Sequence, residues 1–181
     1  MDNKSTLILG GARSGKSSYA EKLALSFDLE PIYIATAQAK DDEMVDRIRH
    51  HKLRRNADWK TIEEPLNISK VIVDHSSPHN VILIDCLTLW LSNIFAKSLN
   101  FETEIKTLVE AVAAAKGPII FVSNEVGQGI VPINELARNF RDEAGRLNQQ
   151  IAASVANVYV IMAGLPLPIK EDNKLLTERL K

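Results

Sequence analysis

Short apolar runs alternate along this chain with stretches that have helical spacing. The runs are TLIL (6–9), PIYIAT (31–36), NVILID (80–85), PIIFVS (118–123) and NVYVIM (157–162). Each is rich in β-branched residues and nearly free of polar interruption, the pattern of strands buried on both faces of a parallel sheet. Between them, helical spacing predicts helices over 16–27, 41–54, 66–75, 87–97, 102–115 and 132–155. Strand and helix in alternation predict a doubly wound α/β fold. No internal repeat, low-complexity tract or linker divides the chain, so one domain over 1–181 is expected. The polar tail EDNKLLTERLK (171–181) reads as a short helix or a frayed end.

The last long helix has Pro132 near its start, where a missing N–H costs little. Leu136, Phe140, Ala144, Leu147 and Ile151 form an apolar stripe for core packing. Gly145 interrupts it at about 1 kcal/mol relative to alanine. Two readings fit: a tolerated imperfection, or close approach of a ligand or another backbone.

The segment after the first strand changes the picture from fold to chemistry. GGARSGKS (10–17) fits G-x-x-x-x-G-K-[ST], with strand TLIL before it and a helix after it. Its glycines permit a backbone that a side chain would block. The successive N–H groups of Gly10, Gly11, Ala12, Arg13, Ser14 and Gly15 then form a cradle for phosphate oxygens at the positive end of a helix. Lys16 reaches the β- and γ-phosphates, and Ser17 is placed to ligate Mg²⁺. Asp85 ends the apolar strand VILID, where an acidic residue helps hold the same ion. A strand-end aspartate is also a common helix cap, so that reading stays open. Cys86 has no adjacent basic residue and reads as a small buried side chain.

Composition adds exclusions. The net charge is −1, with hydrophobic residues at 45% and charged residues at 25%, an ordinary soluble mix without the basic bias of a nucleic-acid binder. The single cysteine excludes an internal disulfide and a Cys-based metal site. No signal sequence and no membrane-spanning run is visible, so a cytoplasmic protein is expected.

Positive charge is nevertheless concentrated at RIRHHKLRR (47–55), where five Lys or Arg residues surround His50 and His51. One reading is a helix end matched to its dipole, with acids in the first turn of 41–54 and bases in the last. Met44, Ile48 and His51 then share an apolar face, and Glu43, Arg47, His50 and Arg54 a polar one. The other reading begins from the phosphate loop. Neutral histidine is a competent nucleophile for phosphoryl groups, and the cations Lys52, Arg54 and Arg55 favour the neutral form while holding phosphates. His75 and His79 flank a turn-like SSP and read as solvated.

Together these motifs resemble one family, the bifunctional adenosylcobinamide kinase/adenosylcobinamide-phosphate guanylyltransferases of cobalamin biosynthesis. The matching segments are GGARSGKS (10–17), IATAQ (34–38), DDEM..RI.HHK (41–52), ILIDCLT (82–88) and SNEVG.GIVP.N.LAR.FRD.AGR.NQ (123–149). The HHK segment and the SNEVG…GRLNQ block are far more specific than the phosphate loop.

The resemblance implies a P-loop NTPase of RecA-like type, with a mostly parallel sheet flanked by helices. It implies phosphorylation of adenosylcobinamide by ATP or GTP with Mg²⁺. It further implies transfer of GMP from GTP, through a guanylylated histidine, to adenosylcobinamide phosphate. The histidine is carried to His51, with His50 as the alternative. If His51 lies on the apolar face at rest, the helix must turn or partly unwind to present it. The resemblance also implies nucleotide contacts from Thr36, Ala37 and Gln38, from Lys52, Leu53, Arg54 and Arg55, and from Glu63, with Glu64 as its alternative. It implies a homo-oligomer, a trimer in the family's architecture, in which Arg138, Arg141 and Arg146 serve a neighbour's site unless they are plain surface charges.

Two other functions fit parts of the sequence. A monofunctional small-molecule P-loop kinase would use the histidine helix only as a lid. A GTP-binding switch would read guanine through N-K-x-D, which SNEVG does not match.

Overall fold

The computed structural model describes residues 5–38 and 59–176. Eight strands form one sheet: β1 (Thr6–Gly10), β2 (Glu30–Ala35), β3 (Lys60–Glu63), β4 (Asn80–Asp85), β5 (Ile119–Asn124), β6 (Asn157–Met162), β7 (Leu165–Glu171) and β8 (Lys174–Leu175). Five helices are described: α1 (Lys16–Leu25), α2 (Ile68–His75), α3 (Leu87–Ala96), α4 (Phe101–Ala114) and α5 (Glu135–Ser154). The strand order is β3-β2-β4-β5-β1-β6-β7-β8, with every pairing parallel until the antiparallel β6-β7 and β7-β8. This is the expected mostly parallel α/β sheet with helices on both faces.

The strands alternate their side chains between two cores. Leu7, Ile32, Ile34, Ile82, Ile84, Ile119 and Phe121 face α2 to α5. Ile8, Tyr33, Val81, Leu83, Ile120 and Val122 face α1. Period-2 alternation with both sides buried is why these runs read as continuously apolar. The predicted helix 41–54 lies outside the described residues.

Three expectations are corrected. β3 and β7 were not anticipated as strands, and residues 171–175 of the tail continue the sheet instead of forming a helix. Asp172 and Asn173 turn with φ of 47° and 63°, and their N–H groups bond Asn157 Oδ1 and the Ala156 carbonyl. The long helix begins at Glu135 with Asn134 as its cap, its Oδ1 accepting from the Ala137 N–H, so Pro132 precedes the helix. Leu136 is exposed instead of joining the apolar stripe.

The reason is where α5 stands. Its C-terminal end reaches the start of β1, where the Ala156 N–H bonds the Ser5 carbonyl. Asn148 already bonds Ser123, next to the last residue of β5. The segment 135–143, about 14 Å of helix, lies N-terminal to the buried Ala144 and Leu147 and extends past the C-terminal edge of the sheet. It packs there through Phe140 on Phe95 of α3, ring centroids 5.7 Å apart. At Gly145, between Ala144 and Leu147, no described atom outside the helix's own backbone stands within 4 Å of where its Cβ would be. Gly145→Ala is expected to stabilise the fold by about 1 kcal/mol, raising Tm by roughly 2–4 °C in thermal melts. A gain in Tm accompanied by lost activity would show that the gap admits a ligand.

Candidate active site

The phosphate loop joins β1 to α1 at the C-terminal edge of the sheet. Two glycines are required by its shape. Gly10 has φ +152°, and a Cβ there would stand 2.5 Å from the Ile161 carbonyl oxygen. Gly15 has φ +103°, and a Cβ there would stand 3.3 Å from Gly164 Cα. Gly11, Ala12 and Arg13 form the exposed crest, and Ser14 and Ser17 are half-buried. Lys16 is 6% exposed, and its Nζ donates to the Gly11 carbonyl at 2.5 Å. Its ammonium thus lies within the loop it serves. Burial lowers its pKa, opposed by the nearby Cys86 and Asp85.

A support for this loop was not anticipated. The tight turn between β6 and β7, with Ala163 and Gly164 at φ 52° and 81°, donates the Gly164 N–H to the Ser14 carbonyl at 2.9 Å. The contacts of Gly10 with Ile161 and of Gly15 with Gly164 belong to the same hairpin. A lone Gly between the apolar runs NVYVIM and LPLP was the available signal; its target, about 150 residues earlier, was not legible.

Asp85 ends β4, separated from β1 by β5 alone. Its Oδ2 is buried without a hydrogen-bond partner among the described residues. A buried carboxylate oxygen left this way suits a cation. Among the described residues no group of three or more His, Cys, Asp or Glu is arranged to hold a metal. A Mg²⁺ seat built from one carboxylate and a serine hydroxyl, completed by phosphate oxygens and water, needs no such group. The Cys86 thiol, pushed up to about 12 by burial and by Asp85, stays protonated and acts as a packing group.

Thr36 lies behind the edge instead of lining it with its hydroxyl. It is fully buried; Oγ1 accepts the Cys86 N–H and donates to the Cys86 carbonyl, both at 2.8 Å. Asn93 of α3 donates to the carbonyls of Thr36 and Pro65 at 2.9 and 3.1 Å, tying the ends of β2 and β3 together. Beyond this staple, Ala37 is half-buried and Gln38 exposed. Glu63 ends β3 beside Ala35. Glu64 is engaged locally, one oxygen accepting from the Leu66 and Asn67 N–H groups at 2.8 Å each.

On α5, Arg138 bonds the Pro132 and Ile133 carbonyls, Arg141 pairs with Asp142, and Arg146 pairs with Glu143. His79 is exposed, as expected, and His75 is half-buried at the end of α2. His50, His51, Lys52, Leu53, Arg54 and Arg55 lie outside the described residues.

Comparison with known proteins gives consistent answers. The sequence profile of the family described as cobinamide kinase / cobinamide phosphate guanyltransferase matches residues 6–169. The bifunctional adenosylcobalamin biosynthesis protein CobP of Pseudomonas aeruginosa is 48% identical over 168 residues, covering 92% of this chain and 97% of that protein. The corresponding CobU of Escherichia coli is 38% identical over 179 residues, covering 91% and 98%. Among solved structures, one titled as a structural study of PH0250 from Pyrococcus horikoshii superposes with a TM-score of 0.53 at 10% identity, over 96% of this chain and 92% of that one. That likeness concerns the fold alone. Among the described residues, no helix is long and apolar enough to cross a membrane.

Proposed function

The chain belongs to the cobinamide kinase / cobinamide phosphate guanyltransferase family, and from that membership we propose that it carries out both reactions of the family's name on adenosylcobinamide. The observation that carries the reading is the phosphate loop, with Lys16 folded into it, facing the orphaned carboxylate of Asp85 across one strand.

In the first reaction the nucleotide's phosphates lie in the N–H cradle of residues 10–15, with Lys16 on the β- and γ-oxygens. The corrinoid's hydroxyl oxygen bonds to the γ-phosphorus, the bond to the β-phosphate oxygen breaks, and a nucleoside diphosphate leaves with the hydroxyl proton released. ATP and GTP both fit as donors. Ser17 and Asp85 would hold Mg²⁺, which when bound neutralises phosphate charge.

In the second reaction a ring nitrogen of His51 bonds to the α-phosphorus of GTP and pyrophosphate leaves. A phosphate oxygen of adenosylcobinamide phosphate then displaces the histidine, giving adenosylcobinamide-GDP. Lys52, Leu53, Arg54, Arg55, Ala37, Gln38 and Glu63 contact the guanine nucleotide, and Thr36 fixes the chain end that carries Ala37 and Gln38. The protein acts in the cytoplasm as a homo-oligomer, a trimer. In support, Ile130 and Ile133 are each 98% exposed and Leu136 64%, apolar surface that association would bury.

Incubation of the protein with adenosylcobinamide, Mg²⁺ and GTP, followed by mass analysis, is expected to yield the phosphate and then the GDP product. Accumulation of the phosphate alone, with no nucleotidyl protein, would identify a monofunctional kinase.

A further inference from the structure

Three buried polar side chains at the C-terminal edge belong neither to the phosphate loop nor to the Thr36 staple. Thr88 of α3, Ser123 of β5 and Asn148 of α5 are 9%, 2% and 8% exposed. The Asn124 N–H donates to Thr88 Oγ1 at 2.8 Å. Thr88 Oγ1 lies 3.5 Å from Ser123 Oγ, and Ser123 Oγ donates to Asn148 Oδ1 at 2.7 Å. With Ser123's proton given to Asn148, its oxygen accepts from Thr88, whose own oxygen accepts from Asn124. The four groups form one directed chain across α5, β5 and α3.

Its position matters more than its stability. β5 is the strand between Lys16's loop and Asp85. Its last residue, Asn124, is level with Gly10, and the next, Glu125, donates its N–H to the Gly10 carbonyl at 3.0 Å. On the other side Thr88 is three residues past Asp85, in the first turn of α3. A continuous path therefore runs from Asp85 through Thr88 and Asn124 to Gly10. We propose that Thr88 and Asn148 are positioning residues for phosphoryl transfer: through Ser123 and the end of β5 they fix the phosphate loop against Asp85. Filling such a core needs only apolar groups, whereas burying three polar side chains is costly unless each is hydrogen-bonded. Displacement of a catalytic group by about 1 Å costs up to about a hundredfold in rate, so fixing that separation is a use for the chain.

The inference rests on the kinase reading above. The test is kinase kcat and nucleotide KM, together with Mg²⁺-nucleotide-analogue affinity and thermal stability, for Thr88→Val, Thr88→Ser, Asn148→Ala and the double variant Thr88→Val/Asn148→Ala. Thr88→Val is expected to lower kcat about tenfold while KM and analogue affinity stay within about twofold. Thr88→Ser keeps the hydroxyl and restores kcat. The double variant is expected to lose no more than the worse single, as members of one chain do. A Thr88→Val kcat within about twofold of wild type, failure of serine to rescue, or multiplicative losses would overturn the inference. If Thr88→Val does not fold, the kcat-to-KM split of Asn148→Ala decides. An inactive wild-type protein would instead overturn the kinase reading itself.

Discussion

Replacing His51 by alanine is expected to abolish the protein-bound GMP that forms when the enzyme is given GTP labelled at the α-phosphate. Guanylyl transfer should fall by more than about a thousandfold, the scale for loss of a covalent nucleophile. Corrinoid phosphorylation should survive within a few-fold, because the proposed kinase step draws on the loop at 10–17 and on Asp85 instead. The wild-type adduct, a phosphorus–nitrogen bond, should be acid-labile and base-stable. Its formation needs a free ring lone pair, so protonation of the imidazole should stop it. Label retained by His51→Ala and lost by His50→Ala would move the nucleophile one residue. Label retained by both would exclude a histidine in this pair.

That experiment draws on a stretch read from sequence, and sequence was informative wherever one local pattern carries the physics. The five parallel strands stood out because burial on both faces leaves continuous apolar runs. β3 did not, because KTIE is a short edge strand with exposed Lys60, Thr61 and Glu63. β7 was hidden by Pro166 and Pro168, which argue against a strand wherever both edges are paired. Here β8 pairs only with Lys170 and Glu171, so the prolines' missing N–H groups fall on an open edge.

The site divides in the same way. The loop at 10–17 and Asp85 stand out as candidates in the sequence because the pattern that marks them lies in their own spacing. The staple that Thr36 makes was not legible, because its partner Cys86 is fifty positions away. Thr88, Ser123 and Asn148 are unremarkable as letters and acquire meaning only where three elements meet. The overhang of α5 was likewise invisible, since helical periodicity gives a face and no information about where the sheet ends. Leu136 continues the periodic stripe onto a turn with no sheet beneath it.

Lys16→Met should separate function from stability in opposite directions. The ammonium is buried among loop atoms and its pKa is lowered, chiefly by desolvation, with Cys86 and Asp85 opposing. A lysine whose folded pKa lies below its unfolded value binds protons more tightly in the unfolded chain. It therefore disfavours folding fully below the folded pKa, and that penalty fades as pH rises toward 10.5, where the unfolded lysine also deprotonates. Methionine fills a similar volume without charge, so the variant should be as stable as wild type or more so at pH 7, and should lack the alkaline gain in stability. Kinase activity should fall by roughly 10²–10³, the scale for removing a preorganised charge partner of the transferring group. The loss should appear mainly in kcat, because the lysine matters most as negative charge moves onto the leaving β-phosphate oxygen. Denaturant midpoints measured across pH 7–11, beside steady-state kinetics of the same preparations, read both effects. A variant that lost stability and activity together would mean that Lys16 holds the loop's shape through its bond to the Gly11 carbonyl, and that its charge is secondary.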